Sequence, residues 1–307
     1  MTLQQLRYLI AISEHGSINA AAQNLYISQS NLSTAVKELE RELGITIFTR
    51  SNRGVHLTND GTELLGYARQ VIEQADMLET RYAHGRESQV RLAVSTQHYH
   101  FSLQAFINVA EGCESEKYDF VLRECATGEI IDDVRTFRSD VGVLYMDDFN
   151  SRVLQKAFKD AEVAFTPLFK AKVHVFVSEK HPLADRKILS LGDLDAYPRY
   201  SFEQGTANSF YYSEEPFGYL PHDRNIRYSD RGTLTNLLTS FNGYTVSTGV
   251  LSPEMHEGIV AIPLDVDQKM TVGYIMHNER RPGQLLLRYI EELHRVIDEH
   301  PSVQSFD

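Results

Sequence analysis

The sequence is poor in cysteine, with only Cys113 and Cys125 among 307 residues. Two thiols cannot frame a disulfide scaffold, so a reduced, buried pair is expected. No stretch of 18 or more apolar residues occurs, which excludes a hydrophobic membrane-spanning helix. The first residues, Met1-Thr2-Leu3-Gln4-Gln5, lack the basic-then-apolar order of a secretory leader. A cytoplasmic protein with no membrane partner is therefore expected. A nucleophile elbow, a phosphate loop, a dinucleotide fingerprint and a HExxH zinc helix are all missing, so neither an enzyme nor a bound cofactor is expected. Positive charge is scarce as well: 30 Lys and Arg stand against 42 Asp and Glu, a net charge of -12. That sum argues mildly against a nucleic-acid partner, but a local patch and not the whole-chain charge sets affinity for DNA. Residues 1–58 are close to charge-balanced, and their bases gather at Lys37, Arg41, Arg50 and Arg53.

What is present begins with punctuation. Thr2 and Gln5 have the spacing of a capping box. Leu6, Leu9 and Ile10 follow at helical spacing, and Gly16 ends that helix. Ser17 can cap a short second helix from Ile18 to Leu25, whose Ala20-Ala21-Ala22 run permits close helix packing. Ser28 can cap a third, with an apolar stripe of Leu32, Val36, Leu39 and Leu43 and an exit at Gly44. Two short helices joined by a tight turn form a helix-turn-helix pattern. The solvent side of the third helix carries Gln29, Ser30, Asn31, Ser33, Thr34 and Lys37, small or hydrogen-bonding residues near its N-terminal end, where a recognition helix meets base edges. Residues 45–50 and 55–57 read as two strands around the turn Ser51-Asn52-Arg53-Gly54, a wing with Arg50 and Arg53 to hold the phosphate backbone or enter the minor groove. An ordinary solvated helix face, and for Arg50 an internal ion pair, are the plainer alternatives. A long helix from Asn59 to Ala83 repeats Leu64, Ala68, Val71, Ala75, Leu78 and Tyr82 at alternating spacings of four and three. Such a heptad seam pairs with a second copy and predicts a homodimer.

After a short hinge at residues 84–88, strand and helix patterns alternate. Strands are expected at 90–94, 120–122, 140–145, 172–178, 199–202, 225–228, 244–247 and 271–276, with a closing helix from Gly283 to Glu299. The fold class is α/β with an all-α-dominated N-terminal domain, and the sheets are expected to be mostly parallel.

The N-terminal series resembles the LysR-type transcriptional regulators. It runs Leu6-Arg7-Tyr8-Leu9, Ser17-Ile18-Asn19-Ala20-Ala21-Ala22, Ser28-Gln29-Ser30-Asn31-Leu32-Ser33, Val36-Lys37-Glu38-Leu39-Glu40, Leu43-Gly44, Phe48-Thr49-Arg50 and Leu57-Thr58-Asn59-Asp60-Gly61. Ser30 stands where the family often has proline. His181-Pro182-Leu183-Ala184 and Leu191-Gly192-Asp193-Leu194 extend the resemblance. It implies a winged helix-turn-helix domain (1–58), a linker and dimerisation helix with hinge (59–88), and a two-lobed effector domain like a periplasmic binding protein (89–307). Lobe one would be 89–163 with 267–307, and lobe two 164–266. It further implies double-stranded DNA and a small-molecule effector as partners, a homotetramer beyond the dimer, and RNA polymerase as a further contact. Ser95-Thr96-Gln97-His98-Tyr99-His100-Phe101, Tyr211-Tyr212-Ser213-Glu214 and Thr248-Gly249-Val250-Leu251 are similar to segments of the cysteine and methionine metabolism regulators of lactic acid bacteria. That similarity points to an amino-acid-like effector such as an O-acetylated serine or homoserine.

Ligands of open α/β folds bind outside the carboxyl ends of strands. Ser95, Thr96 and Gln97 stand at such an end, and Thr127, Phe202, Ser247 and Thr248 at equivalent ones. Simple capping of the next helix is the plain alternative. Asp230 and Arg231 could pair with an effector's ammonium and carboxylate, or only with each other at the surface. His98 and His100 could share a metal, but no Cys, Asp or Glu lies near them in sequence to complete a site. A redox switch between Cys113 and Cys125, or a metal response, is the alternative form of the regulator; a cytoplasmic solute-binding protein is the remaining one.

Overall fold

The computed structural model describes residues 1–51, 54–83, 90–205, 209–251, 257–300 and 303–305. The chain divides into two compact units, Met1–Ser88 and Gln89–Asp307.

In the first unit α1 (Leu3–His15), α2 (Ile18–Asn24) and α3 (Gln29–Leu43) begin at Thr2, Ser17 and Ser28, whose side chains accept from the backbone N–H three residues on. α1 and α3 end on Gly16 and Gly44 in the left-handed conformation (φ 61° and 69°), which glycine reaches without steric cost. The strands β1 (Phe48–Ser51) and β2 (Gly54–Leu57) form an antiparallel hairpin. The expected first strand starts late: residues 45–47 stay outside the ladder, where Ile47 N–H donates to Glu40 Oε1 (2.7 Å) and its C=O accepts from Thr58 N–H (3.0 Å). α4 (Asn59–Ala83) follows. The Thr58 hydroxyl accepts from Gly61 N–H (2.9 Å) and donates to Thr46 C=O (2.6 Å), so one residue caps α4 and holds it to the strand approach.

The expected heptad seam of α4 divides. Leu65, Ala68 and Ile72 are buried with Leu6, Leu9 and Leu39, so Ala68 belongs to the unit's own core and not to the seam. Tyr67, Val71 and Leu78 are 60%, 44% and 61% exposed. α4 thus carries two apolar faces, one already used. The side chain of Tyr82 and the hinge at 84–88 lie outside the described residues.

The second unit runs β3 (Val90–Thr96), α5 (His100–Glu111), β4 (Tyr118–Glu124), α6 (Thr127–Arg135), β5 (Val141–Met146), α7 (Ser151–Asp160), β6 (Val163–Lys172) and β7 (His174–Ser178). β8 (Arg199–Phe202), β9 (Asn225–Tyr228), α8 (Arg231–Ser240), β10 (Thr245–Ser247), β11 (Ile259–Pro263), β12 (Lys269–His277), α9 (Gln284–Asp298) and β13 (Val303–Ser305) complete it. One lobe is a six-stranded sheet in the order β13-β6-β12-β5-β3-β4. α5 and α9 cover one face, where Tyr289 and Ser102 hydroxyls meet at 2.7 Å. Ile130, Ile131, Val134, Leu154 and Phe158 of α6 and α7 cover the other. The second lobe holds the antiparallel sheet β10-β7-β11 and the parallel pair β8–β9, with Arg199 bridged to Tyr244 beside β10.

The expectation of mostly parallel sheets is corrected. In the large sheet only β3–β4 and β3–β5 are parallel. β6 and β12 are antiparallel neighbours, because one carries the chain out of the first lobe and the other brings it back. β6 therefore belongs to the first lobe, and the crossing falls at Lys172–His174 rather than at 163/164.

Candidate DNA-contacting face and effector cleft

On α3 the buried row Leu32, Val36 and Leu39 fixes which side faces outward. Gln29, Ser30, Asn31, Thr34 and Lys37 are exposed and Ser33 is half-buried, so the six lie on one accessible stretch. Ser28 Oγ, which accepts from Asn31 N–H (3.2 Å), also meets Ser30 Oγ at 3.0 Å. Arg50 sits on β1, its backbone paired with Val55, and Arg53 lies outside the described residues. Sequence reasoning passed over two residues here. Tyr26 is 96% exposed with φ 55° in the turn before α3, a bare aromatic in a conformation unusual for a non-glycine residue. Glu40 Oε1 accepts from the N–H groups of Ile47 (2.7 Å) and Phe48 (3.2 Å) and ties α3 to the wing.

The seven strand-end residues proposed for the effector are placed differently from one another. Ser95 is fully buried; its hydroxyl donates to Asp133 (2.7 Å) and meets Ser139 (2.8 Å). Thr96 is equally buried and donates to Gln97 C=O (2.8 Å). Gln97 is consumed inside the lobe: its Nε2 donates to Thr127 Oγ1 (2.6 Å), and its Oε1 accepts from Tyr145 N–H (3.0 Å) and Tyr99 OH (3.1 Å). Thr127 N–H is capped from the other lobe by Gln204 Oε1 (3.1 Å). Phe202 is buried and stacks on His98 with centroids 3.5 Å apart. Thr248 is buried and accepts from Val250 N–H (3.3 Å). Of the seven, Ser247 alone lines the cavity described next.

A cavity of about 60 Å³ lies between the lobes. His98 and Tyr99 line it from one side, Glu214, Glu215, Tyr228 and Arg231 from the other. Glu214 Oε2 accepts from His98 N–H (3.0 Å), and Glu214 Oε1 bonds His98 Nδ1 (2.7 Å). This glutamate occupies the backbone donor just past β3 where an effector carboxylate was expected. Glu215 accepts from Phe202 N–H (2.8 Å), Tyr228 OH (3.3 Å) and Ser213 Oγ (3.2 Å). Burial, and then repulsion from Glu214, push the Glu215 carboxyl up to about 8. Two consecutive glutamates thus hold different lobes. Their segment is anchored further by Phe149, which stacks on Tyr211 (4.7 Å) and Tyr219 (3.9 Å). Asp230 turns inward on its own helix and caps α8 by accepting from Thr233 N–H (2.9 Å). Arg231 does not pair with it: its Nη2 meets Glu124 of the first lobe, while Nε and Nη1 are buried without an acceptor. Glu124 lines a wider groove of about 860 Å³ with Cys125, Gln204 and Tyr212, so the Arg231–Glu124 pair stands between the two spaces. The sequence signal for Glu214 and Glu215 was there: an acidic pair set among Tyr211, Tyr212, Phe217 and Tyr219, since a charge in an apolar stretch is buried only with partners.

The residue brought to His98 is Glu214, distant in sequence. His100 begins α5. Among the described residues no group of three His, Cys, Asp or Glu is arranged to hold a metal, and no helix is long and apolar enough to cross a membrane.

A DNA-reading unit joined to a two-lobed sensor defines the class of protein. Residues 3–62 match the model of the bacterial regulatory helix-turn-helix protein, lysR family, and residues 116–298 match the LysR substrate binding domain. The chain is similar to the hydrogen peroxide-inducible genes activator of Dickeya chrysanthemi, 23% identical over 98% of this chain and 96% of that one. It is similar to the HTH-type transcriptional regulator ClcR of Pseudomonas putida, 42% identical over 81 residues, 26% of this chain and 28% of that one. The crystal structure of a full-length BenM variant shares the fold, with a TM-score of 0.51 at 18% identity over 100% of this chain and 99% of that one. The chain belongs to the LysR family: it is a DNA-binding transcriptional regulator with an effector-binding domain, not an enzyme.

Proposed function

We propose that this regulator grips a pseudo-palindromic operator through Gln29, Ser30, Asn31, Ser33, Thr34 and Lys37 of α3 and the wing arginines Arg50 and Arg53, and that an amino-acid-like metabolite of sulfur amino acid metabolism sets its activity. One observation carries the DNA reading: a helix whose rear is packed by Leu32, Val36 and Leu39 presents an accessible row of short polar residues and one lysine. Such residues fit a groove and bond base edges. The free apolar face of α4 supports a homodimer, which sets two such helices on one duplex; a tetramer and contact with RNA polymerase extend the same reading. The protein would act in the cytoplasm, where its operator is. The sulfur-metabolite effector rests on the resemblance to cysteine and methionine regulators.

The relatives named as peroxide-inducible activators raise a redox response as the second reading. The thiols count against it. Burial, and then the neighbouring Asp133, push Cys125 up to about 12, which leaves almost no thiolate near neutral pH. Cys113 and Cys125 flank opposite ends of β4, whose seven residues span roughly 20 Å at about 3.3 Å each. A disulfide needs Cα atoms within about 7 Å.

The test is an anisotropy titration of DNA upstream of the neighbouring divergent gene, at two salt concentrations, with and without O-acetylserine. Tight, salt-dependent binding is expected, and Lys37→Ala should lower the salt slope by about one for each α3 on the duplex. A ligand should shift affinity by a coupling of about 1–3 kcal/mol and not abolish it. Absence of specific binding anywhere in the genomic DNA would refute the regulator assignment at α3.

A further inference from the structure

Residues 209–219 leave the second lobe, dock on the first and return. On the second lobe Glu215 accepts from Phe202 N–H (2.8 Å) and Tyr228 OH (3.3 Å). Just beyond it, Arg199 Nη1 donates to the carbonyls of Phe217 (3.2 Å) and Leu220 (3.0 Å). On the first lobe the segment has three anchors. Tyr211 and Tyr219 both stack on Phe149, between β5 and α7, with centroids 4.7 and 3.9 Å away. Tyr212 packs against the apolar cluster that Ile131, Leu154 and Phe158 of α6 and α7 build. Glu214 accepts from His98 N–H (3.0 Å) and bonds His98 Nδ1 (2.7 Å), and the two side chains are only 7% and 6% exposed. The donor at His98 lies just past β3, at the carboxyl end of a strand, where an α/β fold offers its backbone to a ligand. Here the chain fills that place with a carboxylate of its own. The space left beside it is about 60 Å³, against the roughly 300–1,000 Å³ of a pocket that takes a metabolite.

We propose that residues 209–219 form a strap that holds the two lobes closed by themselves, with Glu214 as the chain's own ligand at His98, a device beyond the effector reading given above and independent of it. Its contacts divide the work. The rings of Tyr211, Tyr212 and Tyr219 supply apolar adhesion, which has little direction. The Glu214 carboxylate supplies direction, because its bonds require His98 at one distance and angle. The anchors sit on one short stretch of chain, so parting the lobes breaks them together. A buried carboxylate cannot stay behind without its donors, and Glu214 returns to water when the cleft opens. The resting form is therefore the closed one, and a signal acts by drawing the strap out. A hinged binding protein that closes around its ligand works in the opposite order.

Hydrogen exchange of the full-length protein, read on peptides covering residues 95–101 and 284–298, tests the strap. The His98 N–H, whose acceptor is Glu214, should be protected with no small molecule added. Glu214→Ala should speed its exchange at least about tenfold, as loss of a bond to a charged acceptor implies. α9, on the covered face of the large sheet, should keep the parent's protection and so report an intact fold. Sodium acetate returns the missing carboxylate: it should slow exchange at His98 in Glu214→Ala and leave the parent unchanged, with sodium chloride at equal concentration as the control. Phe149→Leu removes the ring under Tyr211 and Tyr219; it should also expose His98, and acetate should not restore protection there. Exchange at His98 as fast in the parent as in Glu214→Ala overturns the proposal. So does acetate that protects the parent, since its donor is then open, and so does acetate that fails to protect Glu214→Ala up to about 100 mM.

Discussion

Single carboxylates decide two features of this molecule in opposite ways. Glu40 accepts two backbone N–H groups at the approach to the wing. Leaving both without an acceptor should cost about 1–3 kcal/mol. Glu40→Ala is expected to lower protection of α1 and α3 in hydrogen exchange and to weaken operator binding, whereas Glu40→Gln keeps an oxygen in place and should lose less. Equal losses would show that the charge, not the acceptor, matters. Glu215 works against stability. Its carboxyl is raised from 4.5 to about 8 in the folded chain, so between those values the folded state holds a proton that the unfolded state has released. Stability therefore falls as pH rises from 4.5 to 8. Glu215→Gln should flatten that fall in a series of thermal melts. A parallel slope in both proteins would place the proton elsewhere.

At the level of elements, the sequence was most legible where a local residue sets the geometry. The caps at Thr2, Ser17 and Ser28 and the glycines at Gly16 and Gly44 are local signals, and the structure has all five at element ends. β6 was hidden for a physical reason. Pro167 interrupts it, and proline lacks a donor for a ladder; here it sits opposite Gly273, where the register of β6 with β12 shifts. β11 is a five-residue apolar run ending on Pro263, too short for periodicity to separate strand from helix. The strand ends were readable as positions but not as surfaces: whether Ser95 or Ser247 meets open space depends on the segment at 209–219, which no periodicity in β3 or β10 reports. The seam of α4 was legible in spacing but not in use, because residues one position apart face its own unit or the outside. Val71 is exposed there. Val71→Asp should leave the helix and the fold intact and shift sedimentation toward the monomer, since an unpaired charge in a hydrophobic seam is costly. A dimer unaffected by it would move the interface to another face.

Across the whole molecule, the same division separates what composition could and could not reveal. A net charge of -12 hides a nearly neutral N-terminal unit, and the family match extends into both units. The cleft is closed by contacts that pass from the second lobe to the first: Glu214 to His98, Arg231 to Glu124, and Gln204 to Thr127.

The outgoing and returning strands β6 and β12 lie side by side in one sheet and are hydrogen-bonded along nearly their full length. Two parallel pins set that close leave the lobes one easy motion, a swing like that of a book about its spine, and resist twist and slide. Whatever occupies the cleft can then be read out as a single angle between the two lobes.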